Sequence, residues 1–401
     1  MNDTTILIRQ SFDQSQQFTS ALDSACTRFI NNNSITKLPS CSQVKSPELI
    51  AKYCDLLLRK SAKNPDDTET EELLSQIMII FRYIEDKDVF QKFYSRMLAK
   101  RLVAGQSASD DAEASMITKL KQACGFEYTT KLQRMFQDVH LSRELNEKLK
   151  THHRHNPTQK FEIDFSIQVL TSGSWPFQSG GDFCLPQALE RPFTRFTQFY
   201  NTQYSGRVLT WLHHMSKGEI VTNCYKQKYT LQLSTYQMAF LLLFNELDQI
   251  CLENIHTQLL IKEEVILQMS AVLLKTKLLE CCDNENQLTM KSVLKFNTNF
   301  KSKKLRINLN VPLKLDQKIE QEATEKHVDD DRKIIIQAAI VRIMKMRKEL
   351  GHQPLLSEVV GQISNIFKPK VHLIKKCIDI LIEKDFLERV DGQKDIYIYL
   401  A

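Results

Sequence analysis

Glycine is scarce in this chain, at ten residues in 401. Backbone cradles for phosphate therefore have little to be built from, and neither Gly-x-Gly-x-x-Gly nor the phosphate-loop pattern occurs. His-Glu-x-x-His and Gly-x-Ser-x-Gly are also missing, so no metalloprotease or α/β-hydrolase centre is written here. The ten cysteines contain no Cys-x-x-Cys pair, which removes the zinc-ribbon and thioredoxin signatures. No uninterrupted apolar run of about 18 residues occurs, and none is needed for a chain that does not span a membrane. The opening Met1-Asn2-Asp3-Thr4 does not lead into a targeting segment. A net charge of +6 excludes a histone-like polyelectrolyte while leaving room for local basic patches. These absences lead us to expect no cofactor, no metal site and no enzyme. The cysteines are expected to be reduced thiols, in the cytoplasm and nucleus.

What is present is enough apolar side chain, 42 %, for real cores, in a length that suits two to four domains. Residues 1–45 are polar and broken by Asn31-Asn32-Asn33-Ser34 and Pro39-Ser40. Residues 46–160 carry five amphipathic helical patterns and read as a helical bundle. The first opens at Ser46-Pro47-Glu48, with proline in the first turn, and ends by Asn64-Pro65. The others run about 71–84, 88–103, 109–124 and 129–150. Asp110, Asp111 and Glu113 beside Ser109 read as a helix-start capping cluster. His152-His153-Arg154-His155 reads as an exposed loop, since no carboxylate or thiol stands at a companion spacing.

From Phe161 the period changes to two, through Ile163, Phe165, Ile167 and Val169. With strand patterns at 208–212, 219–225 and 229–233 and a helix near 186–204, residues 161–235 read as a mixed α/β sheet domain. Ser234-Thr235 then caps a helix that opens a winged-helix unit over 236–311, whose return strand is expected at Leu305, Ile307, Leu309 and Val311. A charged connector covers 312–332. A second winged helix covers 333–401, with helices at 336–348, 355–367 and 371–385 and a hairpin turning at Asp391-Gly392. The two units form an internal repeat, in which a shift of 108 residues carries Ile266 onto Ile374, Leu273 onto Leu381 and Leu279 onto Leu387. The expected fold class is mainly α with an α/β part: a bundle, a sheet domain and two winged helices.

Stepping about 100° per residue from Ile336 places Ile340 and Ile343 on one face and Lys345 opposite, flanked by Arg342 and Lys348. Lys92, Arg96 and Lys100 recur every four residues and form a ridge, extended by Arg101. It reads either as a solvated helix face or as a basic groove for an acidic partner. The strands between Phe161 and Leu233 raise the question of what pairs with their open edge. A winged helix also admits a nucleic-acid reading. Its third helix offers only Lys375 and Lys376, a thin basic face for reading base edges. The run Lys301 to Arg306 reads as a solvated hairpin edge without interleaved aromatics.

Longer motifs carry a resemblance. Asp331-Arg332-Lys333, the run Ile336 to Lys348, Val371 to Asp385 and the terminal Tyr397-Ile398-Tyr399-Leu400-Ala401 resemble the C-terminal end of the cullins. Tyr83 to Phe90, Met97 to Leu102, Ser107 to Glu113, Ser172 to Pro176 and Gly218 to Asn223 extend the likeness over nearly all of the chain. It is nearest to the cullin that scaffolds F-box ligases. The resemblance implies a non-catalytic scaffold of a ubiquitin ligase, promoting ubiquitin-dependent degradation. A RING-box protein would insert a strand into the sheet and bring a ubiquitin-conjugating enzyme, whose acidic tail would find the basic groove, here assigned to Lys92, Arg96, Lys100 and Arg101. The same resemblance makes Lys345 the acceptor of a ubiquitin-like modifier (neddylation) through an isopeptide bond. The exchange factor and the deneddylating signalosome are further implied partners. Full-length cullins carry adaptor-binding helical repeats upstream, so residues 1–45 are expected to be the remnant of the last repeat. A chain without those repeats is expected to bind the RING-box protein yet deliver no substrate.

Overall fold

In the computed structural model, residues 2–13, 15–34, 36, 45–61, 65–155, 163–177, 181–282, 288–310, 314–390 and 393–400 are described. The breaker Pro39-Ser40, Asn64, Phe161, Val311 and the Asp391-Gly392 turn lie outside them. The chain divides into two compact units. One comprises Met1–Arg143, Gln168–Pro176 and Lys318–Ala401, the other Glu144–Ile167 and Phe177–Gln317.

The first unit begins with helices α1 (Asn2–Ser11) and α2 (Gln16–Asn31). The bundle follows as α3 (Ser46–Leu58), α4 (Asp67–Arg82), α5 (Lys87–Ala104), α6 (Asp110–Cys124) and α7 (Phe126–His155). Local chemistry sets these ends. Asp66 caps α4 by accepting from the Glu69 N–H at 2.8 Å, and Ser109 caps α6 by accepting from Asp111 and Ala112. Gly105 closes α5 in the left-handed conformation at φ 62°, which costs a glycine no steric penalty. Leu74, Ile77 and Phe81 of α4 and Phe90 and Tyr94 of α5 are buried, and Phe81 and Phe90 pack edge to face at 4.8 Å. Cys54 is fully buried there, and burial pushes its thiol up to about 12, so it acts as a small apolar residue. The four-residue histidine cluster is not a loop. No glycine or proline interrupts the chain before Pro157, and α7 continues to His155.

The second unit holds α8 (Gln187–Gln203), then strands β1 (Lys217–Val221) and β2 (Thr230–Ser234), paired antiparallel. A reciprocal capping box between Ser234 and Gln237 starts α9 (Thr235–Leu242). Next come β3 (Gln249–Cys251), α10 (Leu252–Leu259), α11 (Glu263–Lys275), β4 (Leu279–Cys281), β5 (Val293–Phe296) and β6 (Arg306–Asn308). The expected return strand of the first wing is corrected here. Val293–Phe296 pairs with both β4 and β3, whereas Arg306–Asn308 pairs in parallel with β2 and completes the other sheet. Alternation alone marked Leu305 to Leu309 as half-buried and could not say against which sheet.

The chain returns to the first unit through α12 (Lys314–Arg347), followed by β7 (Glu349–Gly351), α13 (His352–Ile363), α14 (Val371–Glu383), β8 (Leu387–Val390) and β9 (Gln393–Tyr399). The charged connector is thus helical from Lys314 and joins the Lys345 helix without a break. The 108-residue shift carries both ends of Glu263–Lys275 onto those of Val371–Glu383. The sheet orders β3-β5-β4 and β7-β9-β8 repeat as well. This is the arrangement expected of two winged helices.

Two segments with a strand-like pattern do not form strands. Residues 163–170 and 207–212 run without secondary structure and pair with no strand among the described residues. Some of their apolar side chains still find a core, although Ile163 and Val208 are exposed. Phe165 packs on Phe193 and Phe196 of α8 at 5.4 and 6.2 Å, and Trp211 packs on the same two rings at 4.5 and 6.0 Å. The side-chain half of the strand expectation is therefore met in part, at Phe165 and Trp211, and the backbone half is not.

Candidate functional site

Lys345 lies in the last turn of α12. Ile336, Ile340, Ile343 and Met344 are fully buried under it, packed with Leu355, Val359, Ile374 and Leu381. Lys345 and Arg342 are exposed, as the helical spacing requires, and Met346 beside them is 66 % exposed. Lys345 makes no hydrogen bond or ion pair among the described residues. Lys348 then turns the chain at φ 67°, with its ammonium 5.3 Å from the Tyr399 ring, and Arg347 pairs with Glu358 at 3.1 Å. The result is an amine on a helix whose floor is packed, at the point where the backbone leaves the helix.

The same helix is clamped further back. Arg332 donates to Asp88 at 2.8 Å and to Asp86 at 2.9 Å, and its guanidinium lies 4.7 Å from the Phe367 ring. The carbonyl of Ile366 accepts from the Lys87 and Asp88 N–H groups at 3.1 and 3.2 Å, two of the donors that the first turn of α5 cannot satisfy internally. Lys368 pairs with Glu85 at 3.2 Å, and Lys92 pairs with Asp331. Burial pushes the Asp88 carboxyl above its ordinary value although Arg332 pulls it down. No short motif marks this seat, because Arg332 and Asp88 are 244 residues apart in the chain.

The basic ridge is only partly a ridge. Lys92 is tied to Asp331, Arg96 is half-buried and Lys100 is exposed. Arg101 is corrected: it is fully buried and has no place in an exposed groove. The fork of its guanidinium meets both oxygens of Glu113 at 2.8 and 2.9 Å, and its other nitrogen meets Asp55. Glu113 also accepts from Ser107 at 2.9 Å. The carboxylate cluster at the start of α6 is therefore more than a cap, since Glu113 is fully buried in this network. One residue beyond Lys100, the helix rotates about 100°, which moves Arg101 from the surface to the interior.

A third feature joins α7 to the extended segment. Asp138, Ser142 and Asn146 stand one turn apart on the helix. Asn146 Oδ1 accepts from the Ile167 N–H at 3.0 Å, Ser142 Oγ from the Val169 N–H at 2.9 Å and Asp138 from the Thr171 N–H at 2.7 Å. Asp138 also accepts from the Trp175 indole at 2.8 Å, which fixes the Ser-Gly-Ser-Trp-Pro run. The second extended segment carries Val208 at 93 % exposure. Among the described residues no group of three His, Cys, Asp or Glu side chains is placed to hold a metal ion, and no helix is long and apolar enough to cross a membrane.

Three family models match, described as the cullin alpha solenoid domain (residues 2–146), the cullin alpha+beta domain (169–300) and the cullin protein neddylation domain (331–393). Similar curated proteins include Cullin-1 of Dictyostelium discoideum, 47 % identical over 401 residues, covering 98 % of this chain and 52 % of that protein. Cullin-1 of Caenorhabditis elegans is 44 % identical, with 98 % and 51 % covered, and Cullin-1 of Schizosaccharomyces pombe is 45 % identical, with 98 % and 51 % covered. The chain spans about half the length of these relatives.

Proposed function

We propose, because this chain belongs to the cullin family, that it is the non-catalytic scaffold of a RING-type ubiquitin ligase, carrying a ubiquitin-like modifier on Lys345. The observation that carries this reading is the exposed Lys345 amine on a packed helix, inside the region that matches the neddylation domain. The neutral amine attacks the carbonyl carbon of the modifier's carboxyl terminus, held as a thioester on its carrier enzyme; the C–N isopeptide bond forms as the C–S bond breaks, the carrier thiolate leaves, and the nitrogen gives up a proton. Removing positive charge from one residue among Arg342, Lys345 and Lys348 and adding a folded modifier changes how this end of the chain packs. The matched families lend no support to the nucleic-acid reading.

A RING-box protein is the partner that the extended segments suit. Both pack on Phe193 and Phe196 of α8 and pair with no strand among the described residues, so an inserted strand would find backbone there to pair with. The RING-box protein in turn holds a ubiquitin-conjugating enzyme, and Arg96 and Lys100 remain the ridge residues suited to its acidic tail. The gain in rate is proximity, because the scaffold makes transfer effectively intramolecular. The exchange factor and the deneddylating signalosome would act on the same scaffold.

The test is retention of the RING-box subunit on the immobilised chain, followed by modification of wild type and of Lys345→Arg in vitro. Wild type should acquire one modifier and Lys345→Arg none. Equal modification of the two, or no retention of the RING-box subunit, overturns the reading.

A further inference from the structure

The end of α12 carries two amines, and the fold treats them differently. Lys345 and Lys348 are three residues apart, a spacing that on a continuing helix sets their Cβ atoms about 5–6 Å apart. A carrier enzyme that presents an activated carboxyl group to one would then meet the other. Lys333, the next lysine upstream, is about 18 Å away along the helix axis and pairs with Asp330 at 3.0 Å. The helix does not continue past Lys348. The Lys348 N–H closes on the Met344 carbonyl at 2.8 Å, and its φ of 67° is the left-handed conformation that glycine usually supplies at this point. Here the residue is a lysine, and its side chain lies over the C-terminal strand β9. The Lys348 carbonyl accepts from the Tyr399 N–H at 2.9 Å, next to the β7–β9 pairing of Glu349 with Ile398. Tyr399 is half-buried against the domain core, and its ring stands 5.3 Å from the Lys348 ammonium. Backbone and ring of one residue therefore hold the same lysine. Arg347, tied to Glu358 at 3.1 Å, and Arg342 carry guanidinium groups that do not deprotonate to become nucleophiles.

We propose that Tyr399 is a specificity-determining residue for the modification: its ring withholds the Lys348 amine, so that the modifier is joined to Lys345 alone. This rests on the reading that Lys345 is the acceptor, and adds what keeps the neighbouring amine out. At either lysine the step balances in the same way. The neutral amine attacks the carrier thioester, the C–N bond forms as the C–S bond breaks, the thiolate leaves and the nitrogen gives up a proton. A nitrogen docked on a ring face must first leave it, and Lys345 makes no such contact among the described residues. The left-handed turn and the ring act together. The turn takes Lys348 off the helix, and the ring keeps its side chain from swinging back.

Brief treatment of the full chain with the N-hydroxysuccinimide ester of acetic acid, with no ligase component present, tests the withholding directly. Peptide mapping of wild type should find Lys345 acetylated about two- to fivefold faster than Lys348, the range of a cation–π contact at an exposed site. Tyr399→Leu should bring the two rates together, and Tyr399→Phe, which keeps a ring, should not. The second measurement uses the RING-box subunit and the loaded carrier enzyme. Lys345→Arg should give no shifted band, and adding Tyr399→Leu should raise the modifier found on the Lys348 peptide about two- to fivefold. Equal acetylation of Lys345 and Lys348 in wild type overturns the inference even if Tyr399→Leu fails to fold. Equal Lys348 modification with and without Tyr399→Leu overturns it too, as does a rise with Tyr399→Phe as large as with Tyr399→Leu. In each of these cases the scaffold reading stands so long as wild type takes the modifier on Lys345. If wild type takes none there, both fall.

Discussion

Arg101→Ala is expected to destabilise the helical bundle by about 3–5 kcal/mol, the range for stranding a buried charge by removing its partner. The guanidinium ties Glu113 of α6 to Asp55 of α3, and Asp55 is met at 2.7 Å by Arg59 as well. Alanine leaves Glu113, itself fully buried, to be neutralised or flooded with water. The pair would not be essential if charge were replaced altogether. Arg101→Met with Asp55→Leu and Glu113→Leu restores volume without charge, and should lie within a few kcal/mol of wild type. Urea unfolding followed by amide exchange within α3, α5 and α6 separates the two cases. A single variant that unfolds with the wild-type midpoint would show that water already reaches this site.

The second large effect is expected at the seat of α12. Arg332→Ala removes three hydrogen bonds to Asp86 and Asp88 and the contact with Phe367, and leaves the buried Asp88 without this cation. Loss of about 3 kcal/mol is expected, discounted from the buried-pair range because the site is not wholly sealed. The stability of the whole chain is a poor readout, because a chain of several domains does not unfold in one step. Amide exchange is a better one. The Lys87 and Asp88 amides, which donate to Ile366, should lose protection, while the β1–β2 amides keep theirs. Unchanged exchange at Lys87 and Asp88 would assign the docking to Phe367 and Ile366 alone. If the scaffold reading holds, this seat is where the Lys345 helix is restrained before modification.

What the sequence determined is what neighbouring residues decide among themselves. Apolar side chains every three or four residues placed the bundle helices and buried Ile336, Ile340 and Ile343. Ser109, Ser234 and Gly105 set ends that need only their own turn to form. The same arithmetic put Lys345 in water, because the face of an amphipathic helix is fixed once its apolar stripe is known. The repeat placed α11 over α14 for the same reason.

Tertiary structure decided everything in which a residue's partner lies far along the chain. Periodicity put Arg101 at the end of a basic ridge, but the stripe boundary runs between Lys100 and Arg101, and carboxylates from α3 and α6 make the inner side tenable for a cation. Alternation marked Phe165 and Trp211 as facing a core, which they do, yet period two says nothing of what satisfies the backbone. In residues 163–171 the side chains of α7 took that part on one edge, and a hydrogen bond to a side chain leaves no trace in hydrophobic pattern. The parallel pairing of β6 with β2 and the grip of Arg332 on Asp88 are of the same kind. Both join segments that come together only once each has folded, where loop closure and burial choose among partners that the local sequence leaves equal.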